Sequence, residues 1–213
     1  PYIVGAVTYQ PFLTTGVDND IPTAGFLPVP NSCNACVSTI TNTNTGITYC
    51  SIHSATDDSQ TLAGHTITVP PGTYVENITV HKSLTILGPK VDIDADTRFA
   101  AFVSGVDGPK ADPLVEAIIT AGTNNPSGGN PNANDLIRVV ANGVTINGFV
   151  IDGNNPAIPG VSGTIINGVD IDARRALTNL NGSNTVVPVS NMNISYNILQ
   201  NFGQRAVSLS GDA

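Results

Sequence analysis

Three strand-like segments are crowded into the stretch from His65 to Gly88. Ile67 to Val69, Ile78 to Val80 and Leu84 to Leu87 are short and apolar-alternating, and polar corners separate them. Pro70-Pro71-Gly72 predicts one such corner, because proline fixes φ and lacks a donor while glycine tolerates positive φ. Strands this short cannot form a sandwich of ordinary depth. They suit a chain that bends every few residues and stacks each coil on the last, so the segment predicts a solenoid with extended surfaces.

Internal repeats extend the prediction. Ile146-Asn147-Gly148-Phe149-Val150-Ile151-Asp152 matches Ile166-Asn167-Gly168-Val169-Asp170-Ile171-Asp172 at an offset of 20 residues. Taken as one coil, that offset stacks Ile151 on Ile171, Phe149 on Val169 and Asn147 on Asn167. Ile67 to Ile86 and Ile118 to Ile137 are both offset by 19 residues. Met192 to Gly203 reads as a further coil, with Ile194 in the place of Ile146 and Leu199 in that of Ile151. The Pro-, Gly-, Asn- and Ser-rich stretches 89–113, 123–134, 154–163 and 178–188 read as corner insertions, which in solenoids often build the binding face. Arg98 to Val103 is a candidate extra strand. The expectation is about four or five coils.

Pro71-Gly72-Thr73-Tyr74-Val75-Glu76-Asn77, followed by Ser83-Leu84-Thr85-Ile86-Leu87-Gly88, resembles the opening coil of right-handed parallel β-helices of the pectin-lyase-like superfamily. Within that superfamily the likeness is to the carbohydrate-binding and sugar-hydrolase repeat group. Tyr49 to Gly64, with Ser51-Ile52-His53-Ser54-Ala55, is similar to the short helix that caps the first coil there. Gly5 to Leu13 resembles the tail that follows the last coil and packs across the solenoid's end. The likeness covers residues 49–213 and implies an all-β, right-handed parallel β-helix. It does not set an activity, since the superfamily hosts lyases, esterases, hydrolases, epimerases, phage spikes and adhesins. Three regions are expected. Residues 1–31 form an extended tail or linker whose strand (Tyr2, Val4, Val7, Tyr9) closes a neighbouring unit. Residues 32–64 form a Cys-containing loop and cap helix. Residues 65–213 form the β-helix, incomplete at its C-terminal end.

The chain has 213 residues, 11% of them charged, and a net charge of −8. Its 8 Lys and Arg residues are scattered along the sequence, which argues against a nucleic-acid partner needing a basic stripe. No apolar run is long enough to cross a bilayer as a helix. No signal peptide precedes Pro1, as expected of a mature product or a fragment. Low charge and a Thr/Asn-rich surface fit an extracellular or cell-surface protein. There, one disulfide is expected from Cys33 or Cys36 to Cys50. The alternative is a metal site of Cys33, Cys36, Cys50 and His53. Asn77-Ile78-Thr79, Asn181-Gly182-Ser183 and Asn193-Ile194-Ser195 are glycosylation sequons.

If the 20-residue offset is one coil, Asp152 lies on Asp172 at a strand spacing of about 4.8 Å. Two such carboxylates are a candidate calcium site, with Arg174 or Arg175 just downstream. The plainer reading makes them solvated corner residues. Asp92, Asp94 and Asp96 alternate; they are a candidate second cation site or, on the plainer reading, an exposed strand kept soluble by charge. His53, His65 and His81 are dispersed, with His81 on an outward corner. The catalytic signatures that the resemblance would bring are absent: no Asp-Asp with a following Gly-His-Gly, no Asp-Pro-His, no methylesterase motif. The expected function is therefore a non-catalytic extracellular structural or adhesive module. It assembles head-to-tail or forms one unit of a tandem surface protein or filament. Its partners are copies of itself or adjacent repeats, and glycans; neither nucleic acid nor membrane insertion is expected, and no cofactor beyond possible calcium. The alternatives are a calcium-dependent polysaccharide lyase or hydrolase and a carbohydrate-binding module without turnover.

Overall fold

Frequent corners leave room only for short strands, and those in the computed structural model run from two to seven residues. The structure describes residues 39–98, 103–105, 108–126, 134–158 and 164–210. The expected assembly strand (Tyr2, Val4, Val7, Tyr9) lies outside the described residues, as do Cys33 and Cys36.

The described chain opens with a hairpin of β1 (Ile40–Asn42) and β2 (Thr48–Tyr49), then helix α1 (Ile52–Asp57). Ser51 caps α1: its Oγ accepts the Ser54 N–H at 3.0 Å. Glu76 caps it again from a distance, its carboxylate accepting the N–H groups of Ile52 at 2.9 Å and His53 at 2.8 Å. Those are among the donors a helix start leaves unsatisfied.

Three strands follow: β3 (Thr66–Thr68), β4 (Gly72–Val75) and β5 (Ile78–Val80). The Pro70-Pro71 corner is pinned by Tyr74, whose hydroxyl donates to the Pro70 carbonyl at 2.8 Å. Next comes β6 (Thr85–Leu87), then an insertion with α2 (Ala95–Arg98) and the hairpin β7 (Val103–Gly105) and β8 (Gly108–Lys110). After it come β9 (Ala117–Thr120), β10 (Asp135–Val139), β11 (Thr145–Asn147) and β12 (Val150–Asp152). A second insertion carries the hairpin β13 (Ile165–Ile166) and β14 (Val169–Asp170). The described chain ends with β15 (Ala173–Thr178), β16 (Asn193–Ser195), β17 (Ile198–Gln200) and β18 (Phe202–Ser208).

These strands make three sheets whose main ladders are parallel. The first is ordered β16-β11-β6-β3-β1-β2, the second β17-β12-β9-β4 and the third β18-β15-β10-β5. The chain visits first, second and third sheet in turn, and does so four times. Each sheet therefore gains one parallel strand per round. In the first sheet only β1 and β2 pair antiparallel, covering the β3 side.

Register puts equivalent residues of successive rounds side by side. Ile67, Ile86, Ile146 and Ile194 form one ladder, and Tyr74, Ile119, Ile151 and Leu199 a second. Ile78, Ile137, Leu177 and Val207 form a third. Strand periodicity points these residues into the core between the sheets, where Ile67, Ile119 and Ile151 are at most 1% exposed. The 19-residue step from Ile67 to Ile86 and the equivalences Ile146–Ile194 and Ile151–Leu199 match the sequence expectation.

Two expected steps are corrected. Ile118 does not pair with Ile137: Ile118 lies in the second sheet, between Thr73 and Val150, and Ile137 in the third, between Ile78 and Leu177. The 20-residue repeat is not a coil. Asn167 and Gly168 take φ of 53° and 82° and turn β13 back onto β14 as a tight hairpin, the known use of Asn-Gly. Ile171 therefore does not stack on Ile151, nor Val169 on Phe149. Asn147 exchanges hydrogen bonds with Asp92, not Asn167: its Nδ2 donates to Asp92 Oδ1 at 2.8 Å and its Oδ1 accepts the Asp92 N–H at 3.2 Å.

Candidate functional site

The outward face of the second sheet carries two ladders, Thr73–Ile118–Val150–Ile198 and Val75–Thr120–Asp152–Gln200. Both insertions reach over it. From the first come Lys110, Ala111 and Pro113; from the second, Asn154, Asn155, Pro156 and Ala157. Between them is a cleft of about 270 Å³ whose floor holds Thr73, Ile118, Thr120, Asp152 and Asn201.

Asp152 is the charged group of that floor. Its Oδ1 accepts the Asn154 N–H at 3.0 Å and the Asn201 side-chain amide at 2.8 Å, and its Oδ2 accepts the Gln200 amide at 2.8 Å. Burial pushes its carboxyl above the ordinary carboxylate value, against these hydrogen bonds and the Lys110 charge. Thr120, one strand away, donates its hydroxyl to the Asn154 carbonyl at 3.2 Å. Asn155 binds the Ala121 carbonyl through Nδ2 at 2.7 Å, which holds the second insertion against the sheet.

Beneath that wall lies Asp172, 1% exposed. Its Oδ2 accepts the Asn155 N–H at 2.8 Å, and its Oδ1 is buried without a hydrogen-bond partner. Burial raises its pKa, and the Asp170 and Asp152 charges push the same way. The site has one hydrogen-bonded carboxylate, amides, a hydroxyl and an ammonium over a partly apolar floor. Such a set can hydrogen-bond a polyhydroxylated molecule. No histidine or cysteine is among the described residues lining it. The Thr120 hydroxyl is directed to a backbone carbonyl, not to a base.

The expected pairing of Asp152 on Asp172 is corrected by the register. The ladder neighbours of Asp152 are Thr120 and Gln200, and the donors around its oxygens are N–H groups, which cannot ligate calcium. Asp172 follows the β14 hairpin, and its N–H donates to the Gly153 carbonyl at 2.8 Å, so it lies beside Asp152 but off its strand ladder. Among the described residues no group of three or more His, Cys, Asp or Glu side chains converges as a metal site would require. Cys50 is disulfide-bonded, so its sulfur is not a thiolate ligand beside His53. His53 instead sits on α1 with Nε2 at 3.3 Å from Asp57 Oδ2.

The run Asp92, Asp94, Asp96 is not a strand. Asp92 sits at a turn with φ of 58°, the Asp94 carbonyl accepts the N–H and hydroxyl of Thr97, and Asp96 lies in α2. The sequence contained a clue: Asp-x-x-Thr lets the threonine hydroxyl bond back to the carbonyl three residues earlier, as Thr97 does to Asp94, and such local bonds compete with a strand. His81 is exposed on a corner, as expected. Of the sequon asparagines, Asn77 donates its amide to Asn134 Oδ1 at 2.7 Å and Asp135 O at 2.9 Å, whereas Asn193 is exposed on β16. Lys110, Thr120 and Asn201 were not singled out in the sequence. They are 91 residues apart at the extremes, and the register of β9, β12 and β17 gathers them with the first insertion over one face.

No protein-family model matches the chain, and no solved structure matches it. A stretch of 47 residues is 49% identical to part of a cell surface glycoprotein of Methanothermus fervidus. That stretch is 22% of this chain and 8% of the glycoprotein, so the likeness concerns a small part of that protein. No described helix is long and apolar enough to cross a membrane.

Proposed function

We propose that the chain is a right-handed parallel β-helix of four coils that serves as a non-catalytic structural module at the cell surface. It joins head-to-tail with copies of itself or with adjacent repeats of a longer chain. The cyclic order of the three sheets supports the β-helix, and parallel crossovers are overwhelmingly right-handed. The surface assignment draws on the partial likeness to a cell surface glycoprotein.

One observation carries the structural reading: the two ends of the stack differ. On the first round, β1 and β2 cover β3, and α1 packs against β5. On the last, β16, β17 and β18 are, among the described residues, the edge strands of the three sheets. The core ladders thin out there: Val207 is 40% exposed, and Leu209 just beyond it 47%. Unpaired parallel edges with apolar side chains favour strand addition. Sedimentation velocity over a concentration series tests this. Association that is lost in a folded Val207→Lys/Leu209→Lys variant is expected, and a strictly monomeric wild type overturns head-to-tail joining. Removal of residues 1–13 is expected to leave a folded monomer if the strand at 2–9 is the segment that docks.

A second reading, carbohydrate binding without turnover, is favoured by the cleft over the second sheet. Asp152, Asn201 and Lys110 supply the oriented polar groups. Glycan-array binding that disappears on Asn201→Ala supports it, and an array without hits removes it.

A further inference from the structure

Four of the 8 Lys and Arg residues of this acidic chain gather at one place on the third sheet. Asp135, Arg175 and Arg205 are side-by-side neighbours across β10, β15 and β18. Arg174 takes both oxygens of Asp135, Nε to Oδ1 at 2.9 Å and Nη2 to Oδ2 at 2.7 Å. Arg138 Nη2 stands 3.6 Å and Arg175 Nη1 3.9 Å from the same Oδ2. One carboxylate thus serves three guanidinium groups, and its best hydrogen-bonding directions are occupied by Arg174.

Arg175 is left short. Its Nε and Nη1 are buried without a hydrogen-bond partner. Its Nη2 has a neutral contact, Gln204 Oε1 at 3.3 Å on the exposed side. Arg205, adjacent in the ladder, is exposed, and no described carboxylate stands within ion-pair distance of it. Like charges directly opposite on neighbouring strands repel. Buried donors without acceptors cost stability. Burial and the surrounding guanidinium groups both press Arg175 toward its neutral form, yet an arginine stays charged in a protein.

We propose that Arg175 and Arg205 bind an oxyanion of the sulfate or carboxylate class, with Arg138 and Arg174 supplying the surrounding positive field. The anion takes the place of Gln204 at the guanidinium of Arg175 and bridges to Arg205. It replaces one long neutral contact by charge-assisted hydrogen bonds and relieves the Arg175–Arg205 repulsion. The same oxyanion chemistry is offered by a free ion and by an acidic glycan.

Inorganic sulfate, titrated at constant ionic strength, is the primary probe. Saturable binding is expected by calorimetry, with the Tm raised by about 3–6 °C at ten times the Kd. Arg205→Gln changes an exposed side chain and retains the fold. It is expected to weaken sulfate binding by about tenfold or more. Arg175→Gln should do the same, and where it reduces folding, Arg205→Gln decides. Unaltered sulfate affinity in Arg205→Gln, or an equal response to chloride, overturns the proposal. Dextran sulfate binding tighter per sulfate than the free ion, with no binding of dextran, assigns the site to a glycan. Equal affinity per sulfate assigns it to a free ion.

Discussion

Arg98 donates from Nη1 to the carbonyl oxygen of Tyr196 at 2.6 Å, across 98 residues of chain. The same guanidinium holds Glu116 bidentately, Nε to Oε1 at 3.1 Å and Nη2 to Oε2 at 2.7 Å. Arg98 and Glu116 are 4% and 3% exposed. One side chain therefore fastens the first insertion to the start of β9 and to the last round of the stack.

Removing Arg98 leaves Glu116 charged, buried and unpaired. Arg98→Ala is expected to lower stability by about 3–5 kcal/mol in urea unfolding. The double variant Arg98→Met/Glu116→Leu should recover much of that loss, because the remaining charge has gone. A double variant no better than the single one would show that the pair is not the source of the loss.

Tyr196 pays for its place in that contact with φ of 55°. In the preceding round, the equivalent corner is Gly148, with φ of 85°. Left-handed backbone costs an ordinary residue about 1–2 kcal/mol. Tyr196 is 39% exposed, so its ring contributes only part of its packing. Tyr196→Gly is expected to raise the Tm or leave it unchanged, while Gly148→Ala lowers it. A Tm lowered more by Tyr196→Gly than by Gly148→Ala would contradict this account.

Gly153 sits where two rounds approach closely. A Cβ there would lie 1.9 Å from the Asn201 carbonyl oxygen and 2.8 Å from Phe202 Cδ1. Gly153→Ala must displace backbone and is expected to cost about 1–3 kcal/mol or more. Gly182 has nothing within 4 Å of the corresponding position, so Gly182→Ala should be near neutral. Chemical denaturation of the two variants in parallel compares them directly.

Asp172 predicts a pH dependence of definite sign. Its folded pKa is raised above the ordinary 3.8, first by burial. Between those two values the native state holds more protons than the unfolded state, so this group's contribution falls as pH rises. Stability is fully present below the unfolded value and is lost as pH rises through the folded one. Asp172→Asn removes the ionisation. The stability of wild type relative to Asp172→Asn should therefore improve on acidification from neutral pH toward 3.8. A difference independent of pH would mean that the carboxyl is not shifted.

Much of the architecture was legible because strands and corners are local. Pro70-Pro71-Gly72 and the strands around it required only local backbone preferences, whereas the helix after Ser51 was expected from the family resemblance alone. The step from Ile67 to Ile86 was readable because no insertion lies between them. Between Ile86 and Ile146 the step is 60 residues, and from Ile146 to Ile194 it is 48. Insertions of different length erase any constant period, and the 20-residue echo within 146–172 was mistaken for one.

The sequence alone determined that the chain would be built from short strands with frequent corners, and asparagine-glycine in its two Ile-Asn-Gly strings favours a turn at each. It did not determine how they turn. At Gly148 the chain passes from one sheet to the next; at Asn167-Gly168 it doubles back as a hairpin. Both are allowed by the same local preferences, and the packing of β12 between β9 and β17 selects between them. Tertiary register likewise decided the sites. It made Thr120 and Gln200, not Asp172, the ladder neighbours of Asp152, gathered Lys110 and Asn201 over one face, and set Arg175 beside Arg205. Such neighbours are fixed by stacking between rounds, where one residue of slip would turn each side chain to the opposite face.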